Sequence, residues 1–284
     1  MRSAGRLGNQ LFQLAFALTR RTPSQKLYLY NFNDVFELLD TAELTALRIT
    51  PRSRIHHFFY NRLIFPFLSL SAHCRVISRI AQAGRTRHSE PALAHFTQTH
   101  GLLPILLFEK DYYQSEQFCD PEQLLRYPIK KTHQERAQTL LAKHCPPTHT
   151  PIAVHVRRGD YLQTQFQNND QVSALPIDYY WTAIAKIRAH IDKPWFMIIG
   201  DDAIYNEKTF AELPDKSFIS DNPYTEFALI AQCKAAILSN STFAWWAATY
   251  IPEPICLIAP KNWLAYPDGP EWPEGIISKR FTPC

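Results

Sequence analysis

Two stretches carry side chains whose types and spacing suit a phosphate-bearing ligand. The first is His155-Val156-Arg157-Arg158-Gly159-Asp160-Tyr161, directly behind the apolar run Ile152-Ala153-Val154. Arginine offers a planar, always-charged fork that engages two oxygens at once, so a pair at the exit of a buried strand fits phosphate oxygens. The competing reading is an arginine pair neutralised by neighbouring carboxylates. Arg158-Gly159-Asp160 as an adhesion tripeptide is set aside, because it is continuous with a buried strand. The second stretch is Ser239-Asn240-Ser241-Thr242, between Ile237-Leu238 and the helix-like segment from Phe243. N-cap hydroxyls and free backbone N–H groups at a helix start form an anion site, and plain capping is the alternative. A third and weaker signal is Gly5-Arg6-Leu7-Gly8-Asn9, two glycines ahead of a helix expected to be capped by Asn9. Such a loop lets a ligand approach the backbone closely.

Asp201 and Asp202 follow the strand-like run ending at Gly200. Adjacent carboxylates rarely converge on one ion, and an Asp-x-Asp spacing is missing. The pair is expected to start a helix, and no metal site is expected. The six cysteines (Cys74, Cys119, Cys145, Cys233, Cys256 and Cys284) form no Cys-x-x-Cys and no metal-type pairing with histidines. They are expected to be reduced, with Cys256 acting as a small buried hydrophobe.

These residues need elements to position them. After the proline-rich Cys145–Pro151, the runs IAVHV, WFMIIG, SFIS, AAILS and ICLIA alternate with helix-like segments near 177–190, 204–212, 225–232 and 243–250. Short apolar strands alternating with helices predict a parallel, doubly wound sheet, whose ligands bind beyond the carboxyl ends of the strands. Arg157, Arg158 and Asp160 fall at that edge. The N-terminal half reads as mixed: a helix over Asn9–Arg21, strands at KLYLYN and PILLF, and a helix over about 132–144. The proline stretch places a domain boundary between 148 and 149.

Composition is that of a globular protein, 46% hydrophobic and 20% charged over 284 residues. A net charge of +4 is too mild to argue for nucleic acid. The charge is uneven, however. Leu44 to Ser89 holds no Asp or Glu but eight arginines (48, 52, 54, 62, 75, 79, 85 and 87), mixed with Phe58, Phe59, Tyr60, Phe65 and Phe67. The first reading is a positive rim around an ordinary helical subdomain with those phenylalanines in its core. The second is a surface that rests on an anionic membrane. With no bilayer-length apolar run and no signal-peptide core, the expected location is cytoplasmic, with peripheral membrane contact as the addition.

In chain order, GRLGNQLFQLAFA, YYQSEQF, HVRRGDY, DDAIYN, EFALIAQCKAAILSNSTFAWWAA and APKNW resemble glycosyltransferase family 11, the α-1,2-fucosyltransferases, from about Gly5 to Trp263. The resemblance implies a GT-B-like pair of Rossmann-type domains and GDP-fucose as donor. It also implies inversion at the sugar carbon, no required metal or other cofactor, and a glycan acceptor such as a galactoside. The family pattern has an apolar strand ahead of its glycine loop, where this chain has only Met1–Ala4, so that strand is expected to be lost or truncated. Arg6 stands where the family commonly has glycine, as in the protein O-fucosyltransferases, which leaves another acceptor class open.

Carried onto this chain, the resemblance puts Arg157 on the leaving diphosphate opposite Ser239–Thr242, with Arg158 supporting the loop or the phosphates. His155 is expected at the nucleoside, Asp221 at the guanine N–H donors, and Arg6 and Asn9 closing the site from the other domain. Asp160 is the candidate general base, with Glu116 as the alternative. Two other classes compete: a non-catalytic nucleotide- or glycan-binding member, and a nucleotide-sugar enzyme such as an epimerase. The second lacks a Gly-x-Gly-x-x-Gly after a strand.

Overall fold

A computed structural model describes residues 1–22, 25–82, 95–163 and 173–284. Arg85, Arg87 and Ser89 of the basic stretch lie outside the described residues. The chain forms two compact units that divide between Pro128 and Ile129.

In the first unit, helix α1 (Leu7–Arg20) precedes strand β1 (Leu27–Tyr30), α2 (Asn33–Leu38) and β2 (Ala46–Ile49). Next come α3 (Arg54–Phe59), a π-helical turn (Tyr60–Ile64) and α4 (Phe65–His73). Strands β3 (Ile77–Gln82), β4 (Phe96–Thr99) and β5 (Leu103–Phe108) and the short helix α5 (Glu122–Leu125) complete it. The described strands make a two-stranded parallel sheet, β1–β2, and a three-stranded sheet in the order β4-β3-β5. Residues 1–4 run beside β1 with strand-like pairing. Arg2 bridges Tyr30 in parallel, the Tyr30 amide donates to Met1 O and the Ser3 amide to Tyr30 O, each at 3.0 Å. The buried Gln13 carboxamide then clamps Ala4 through both its N–H and its C=O, at 3.0 and 2.9 Å.

The expectation that Phe58, Phe59 and Phe67 form a core under an arginine rim is corrected: all three side chains are exposed. Neither α3 nor the π-helical turn contains a buried residue, and α4 contains only Ala72.

The second unit runs through α6 (Lys131–His144), β6 (Thr150–Val156), α7 (Ile177–His190), β7 (Pro194–Gly200), α8 (Ala203–Thr209) and β8 (Lys216–Ile219). It continues with α9 (Pro223–Gln232), β9 (Ala235–Ile237), α10 (Thr242–Thr249), β10 (Cys256–Ala259) and β11 (Thr282–Pro283). Helix α6 belongs to this compact unit. Its Gln134 carbonyl accepts from Gln232 at 2.9 Å, and Arg136 reaches the turn before α9. The division into units therefore comes ahead of α6, whereas the proline stretch after it serves as the lead into β6.

The six described strands of this unit pair in parallel, in the order β11-β10-β9-β6-β7-β8. Numbered from β6, that is 6-5-4-1-2-3, the dinucleotide-fold order, and the winding reverses between β6 and β9. Ile152, Ala153 and Val154 are fully buried because helices cover both faces, which is why the run is apolar without alternation. Trp245 and Trp246 of α10 are also fully buried, with Trp245 Nε1 donating to Ile276 O at 2.6 Å. All six cysteines are free, and Cys256 is half-buried against the core.

Candidate active site

The reversal between β6 and β9 sets a crevice at the carboxyl edge of the sheet, and both sequence stretches converge there. His155 is buried at the end of β6, and its Nδ1 lies 2.7 Å from the Ser239 hydroxyl, just past β9. Its ring tilts against Phe243 of α10 at 5.4 Å. Burial, and secondarily the Arg157 charge, pulls the His155 pKa down to about 4 against the opposing effect of Asp201, so the ring is neutral at physiological pH. The Tyr161 hydroxyl donates to the Asn240 carbonyl at 3.3 Å, tying the turn after β6 to the segment after β9.

Arg157 is paired with neighbouring carboxylates, as the competing reading of the sequence has it. It is largely buried, its NH1 stands 2.6 Å from Asp201 Oδ2, and its NH2 pairs with Asp160. The same Asp201 accepts the Arg158 backbone N–H at 2.8 Å. One carboxylate thus fixes both the side chain of the first arginine and the main chain of the second. Gly159 leaves room for this arrangement: a Cβ there would stand 2.6 Å from Asp201 Oδ2 and push that carboxylate aside. Of the aspartate pair, Asp202 caps α8 as expected, accepting from the Tyr205 amide at 3.0 Å. Asp201 was missed as a loop anchor, since sequence adjacency says nothing about which strand end it faces. Among the described residues, no group of three His, Cys, Asp or Glu side chains comes together in a metal-holding cluster.

Arg158 turns elsewhere. Its guanidinium lies over the Tyr205 ring at 3.4 Å and its Nε is 3.6 Å from Asp202. It also lines a cavity of about 460 Å³ with Asn240, Leu162, Leu175, Ile177 and Tyr266. Two buried polar atoms of these lining residues, Arg158 Nε and Asn240 Oδ1, have no hydrogen-bond partner. The wall therefore combines apolar side chains with two polar residues whose hydrogen bonding is incomplete.

Plain capping, the alternative reading of the Ser239–Thr242 stretch, is not made by Ser241. Ser239 is engaged by His155, Asn240 Nδ2 donates to Ser173 O at 2.8 Å, and the Ser241 hydroxyl makes no cap bond. The N-terminus of α10 is thus not capped by Ser241, although Ser241 stands at the cap position. Asp221 sits on the turn between β8 and α9. Its Oδ2 is held by Arg136 Nε and NH2 at 3.1 and 3.0 Å, and its Oδ1 by Asn222. Burial alone would raise its pKa, but the Asn222 amide and Arg136 outweigh it and bring the carboxyl below its ordinary value.

Beside it stands a residue the sequence did not single out. Glu226, in the first turn of α9, accepts the Asp221 amide at 3.0 Å. Burial, reinforced by the charges of Asp221 and Asp201, pushes its pKa up to about 7. An acid inside an apolar helix face was the only available signal.

In the first unit, Arg6 precedes α1 and is exposed, and Gly5 turns the chain there with φ +72°. The helix starts at Leu7, so Asn9 lies inside the first turn and is not its cap. Asn9 Oδ1 instead accepts from Gln114 Nε2 at 2.6 Å. That bond joins the start of α1 to the loop after β5 that carries the half-buried Glu116.

His155, Arg157 and the start of α10 follow neighbouring strands at the carboxyl edge of a parallel sheet in the dinucleotide-fold order, which defines an α/β architecture of the nucleotide-binding class. The pattern of Glycosyl transferase family 11 matches residues 103–270, more than half of the chain, and the chain belongs to that family. It is 31% identical over 121 residues to the O-antigen biosynthesis glycosyltransferase WbnK of Escherichia coli, covering 40% of this chain and 39% of that protein. It is 36% identical over 104 residues to galactoside alpha-(1,2)-fucosyltransferase 1 of Saimiri sciureus, covering 35% of this chain and 28% of that one. The chain thus matches less than half the length of these relatives. The NodZ alpha-1,6-fucosyltransferase structure soaked with GDP-fucose shares the fold, with a TM-score of 0.50, 15% identity, and coverage of 89% and 91% of the two chains.

Proposed function

We propose that the protein transfers L-fucose from GDP-fucose to a hydroxyl of a glycan acceptor, the 2-OH of a galactoside being the favoured target, with inversion and without a metal. The observation that carries this reading is the family 11 match over residues 103–270, within which Arg157 stands at the edge where the sheet reverses, its guanidinium oriented by Asp160 and Asp201. As the acceptor hydroxyl attacks the anomeric carbon, negative charge grows on the departing diphosphate. In this reading Arg157 and the start of α10 take that charge. Neutral His155, locked to Ser239, presents an uncharged ring to the nucleoside. Asp221 is the proposed partner of the guanine N–H donors in this set. Asp160 is the proposed base, with Glu116 as the alternative. The cavity beside Arg158 offers apolar side chains together with two polar residues left to bond, the chemistry a sugar ring requires.

Calorimetric titration with GDP, followed by turnover of GDP-fucose with lactose as acceptor, tests the reading. GDP binding with fucosyl-lactose formed supports it. GDP binding without transfer or hydrolysis leaves only a nucleotide-binding protein, and no GDP binding rejects the proposal. Turnover is also expected to survive EDTA unchanged, because Asp201 and Asp202 are engaged by Arg157, Arg158 and the α8 cap. Loss of activity on chelation, restored by manganese or magnesium, would show that a metal is required.

A further inference from the structure

The segment from Arg54 to His73 carries its apolar residues in two stripes, and among the described residues of the first unit only one of them is covered. Over α3, the π-helical turn and α4, Tyr60, Phe65, Leu68 and Ala72 form the inner stripe. Tyr60 stacks on Tyr30 at 4.9 Å, Phe65 meets Tyr30 edge-on at 5.1 Å, and Leu68 and Ala72 pack with Ile77 and Leu107. The outer stripe is Ile55, Phe58, Phe59, Leu63, Phe67 and Leu70, recurring at three- and four-residue intervals on one helical face. Ile55 is 81% exposed, Phe58 62%, Phe67 66% and Leu70 61%. Single exposed apolar residues need no explanation, but a continuous stripe roughly 20–25 Å long does.

We propose that this stripe is a monotopic membrane-docking face that lies in the interface of an anionic bilayer. Charge complementarity selects the occupant. Arg52, Arg54 and Arg62 are exposed along the segment, and no Asp or Glu occurs in the sequence from Leu44 to Ser89. The carboxylate bonded to the segment, Glu109 at Ser69, is paired with Arg79, and the stripe is flanked by exposed arginines, which suits anionic headgroups better than a neutral protein partner. Among the described residues no helix is long and apolar enough to cross a membrane, so the contact is one of lying on the surface. The proposal does not depend on the transferase reading.

The test is co-sedimentation of the whole protein with vesicles. One set is phosphatidylcholine alone, and the other adds roughly 30% phosphatidylglycerol to supply surface charge. Binding is expected to the anionic vesicles at low salt, to fall about tenfold or more in high salt, and to be weak on phosphatidylcholine alone. Phe58→Gln with Phe67→Gln should abolish it, and Arg54→Gln with Arg62→Gln should weaken it about fivefold per arginine. All four positions are exposed, and an unchanged circular dichroism spectrum and melting temperature show that the variants fold. No binding at low salt, equal binding to neutral vesicles, or a dimer that the phenylalanine variant dissociates while lipid binding is absent would each overturn the proposal.

Discussion

Arg157→Ala is expected to lower kcat/KM for fucosyl transfer by about 10²–10³-fold, the loss of about 2.7–4 kcal/mol that follows removal of one preorganised donor from a developing anion. The structure sharpens this expectation. Asp201 and Asp160 hold the guanidinium in place before any ligand arrives, so little reorganisation is needed when charge develops. Arg157→Lys should be nearly as damaging. An ammonium is a point charge and cannot keep Asp201 and Asp160 while presenting a fork to a diphosphate. Asp201→Asn should give an intermediate loss, since the carboxamide oxygen still accepts the Arg158 amide while an NH2 group replaces the charged oxygen that holds Arg157. The readouts are GDP affinity by calorimetry and turnover at saturating donor. Full turnover of Arg157→Lys at saturating donor would remove Arg157 from its assigned role.

The second unit was legible because helices cover both sheet faces, which forces strands such as Ile152–Val154 to be apolar throughout and separates them with amphipathic helices. From that pattern the carboxyl edge, and with it His155, Arg157 and Ser239, could be located. What stayed hidden were partners brought from distant positions: Asp201 for Arg157, Arg136 for Asp221, and Asp221's amide for Glu226. Such pairs depend on which strand ends meet, and residue type alone does not encode that. The α3–α4 segment hid its orientation for another reason. Both of its faces are apolar, so periodicity marks two stripes without saying which one is covered. Asn9 failed as a cap because the positive φ of Gly5 lets the helix begin earlier, at Leu7.

Stability against pH should show two opposed contributions in the second unit. The folded pKa of His155 is lowered to about 4 from an ordinary 6.5, so between these values the unfolded chain binds the extra proton and stability rises with pH. The folded pKa of Glu226 is raised to about 7 from an ordinary 4.5, so there the native state holds the extra proton and stability falls as pH rises. Between about pH 4.5 and 6.5 the two slopes cancel in the wild type. Glu226→Gln removes the falling slope. Relative to wild type, the variant should gain stability from about pH 4.5 to just above 7, by up to about 3 kcal/mol at roughly 1.36 kcal/mol per pKa unit. His155→Gln should do the reverse and leave a profile that declines over that range. All six tryptophans lie after Ile129, so guanidinium unfolding followed by tryptophan fluorescence reports on this unit alone. A Glu226→Gln profile parallel to that of wild type would mean that the carboxyl is ionised in the folded protein well below pH 7, and that burial beside Asp221 and Asp201 does not hold its proton.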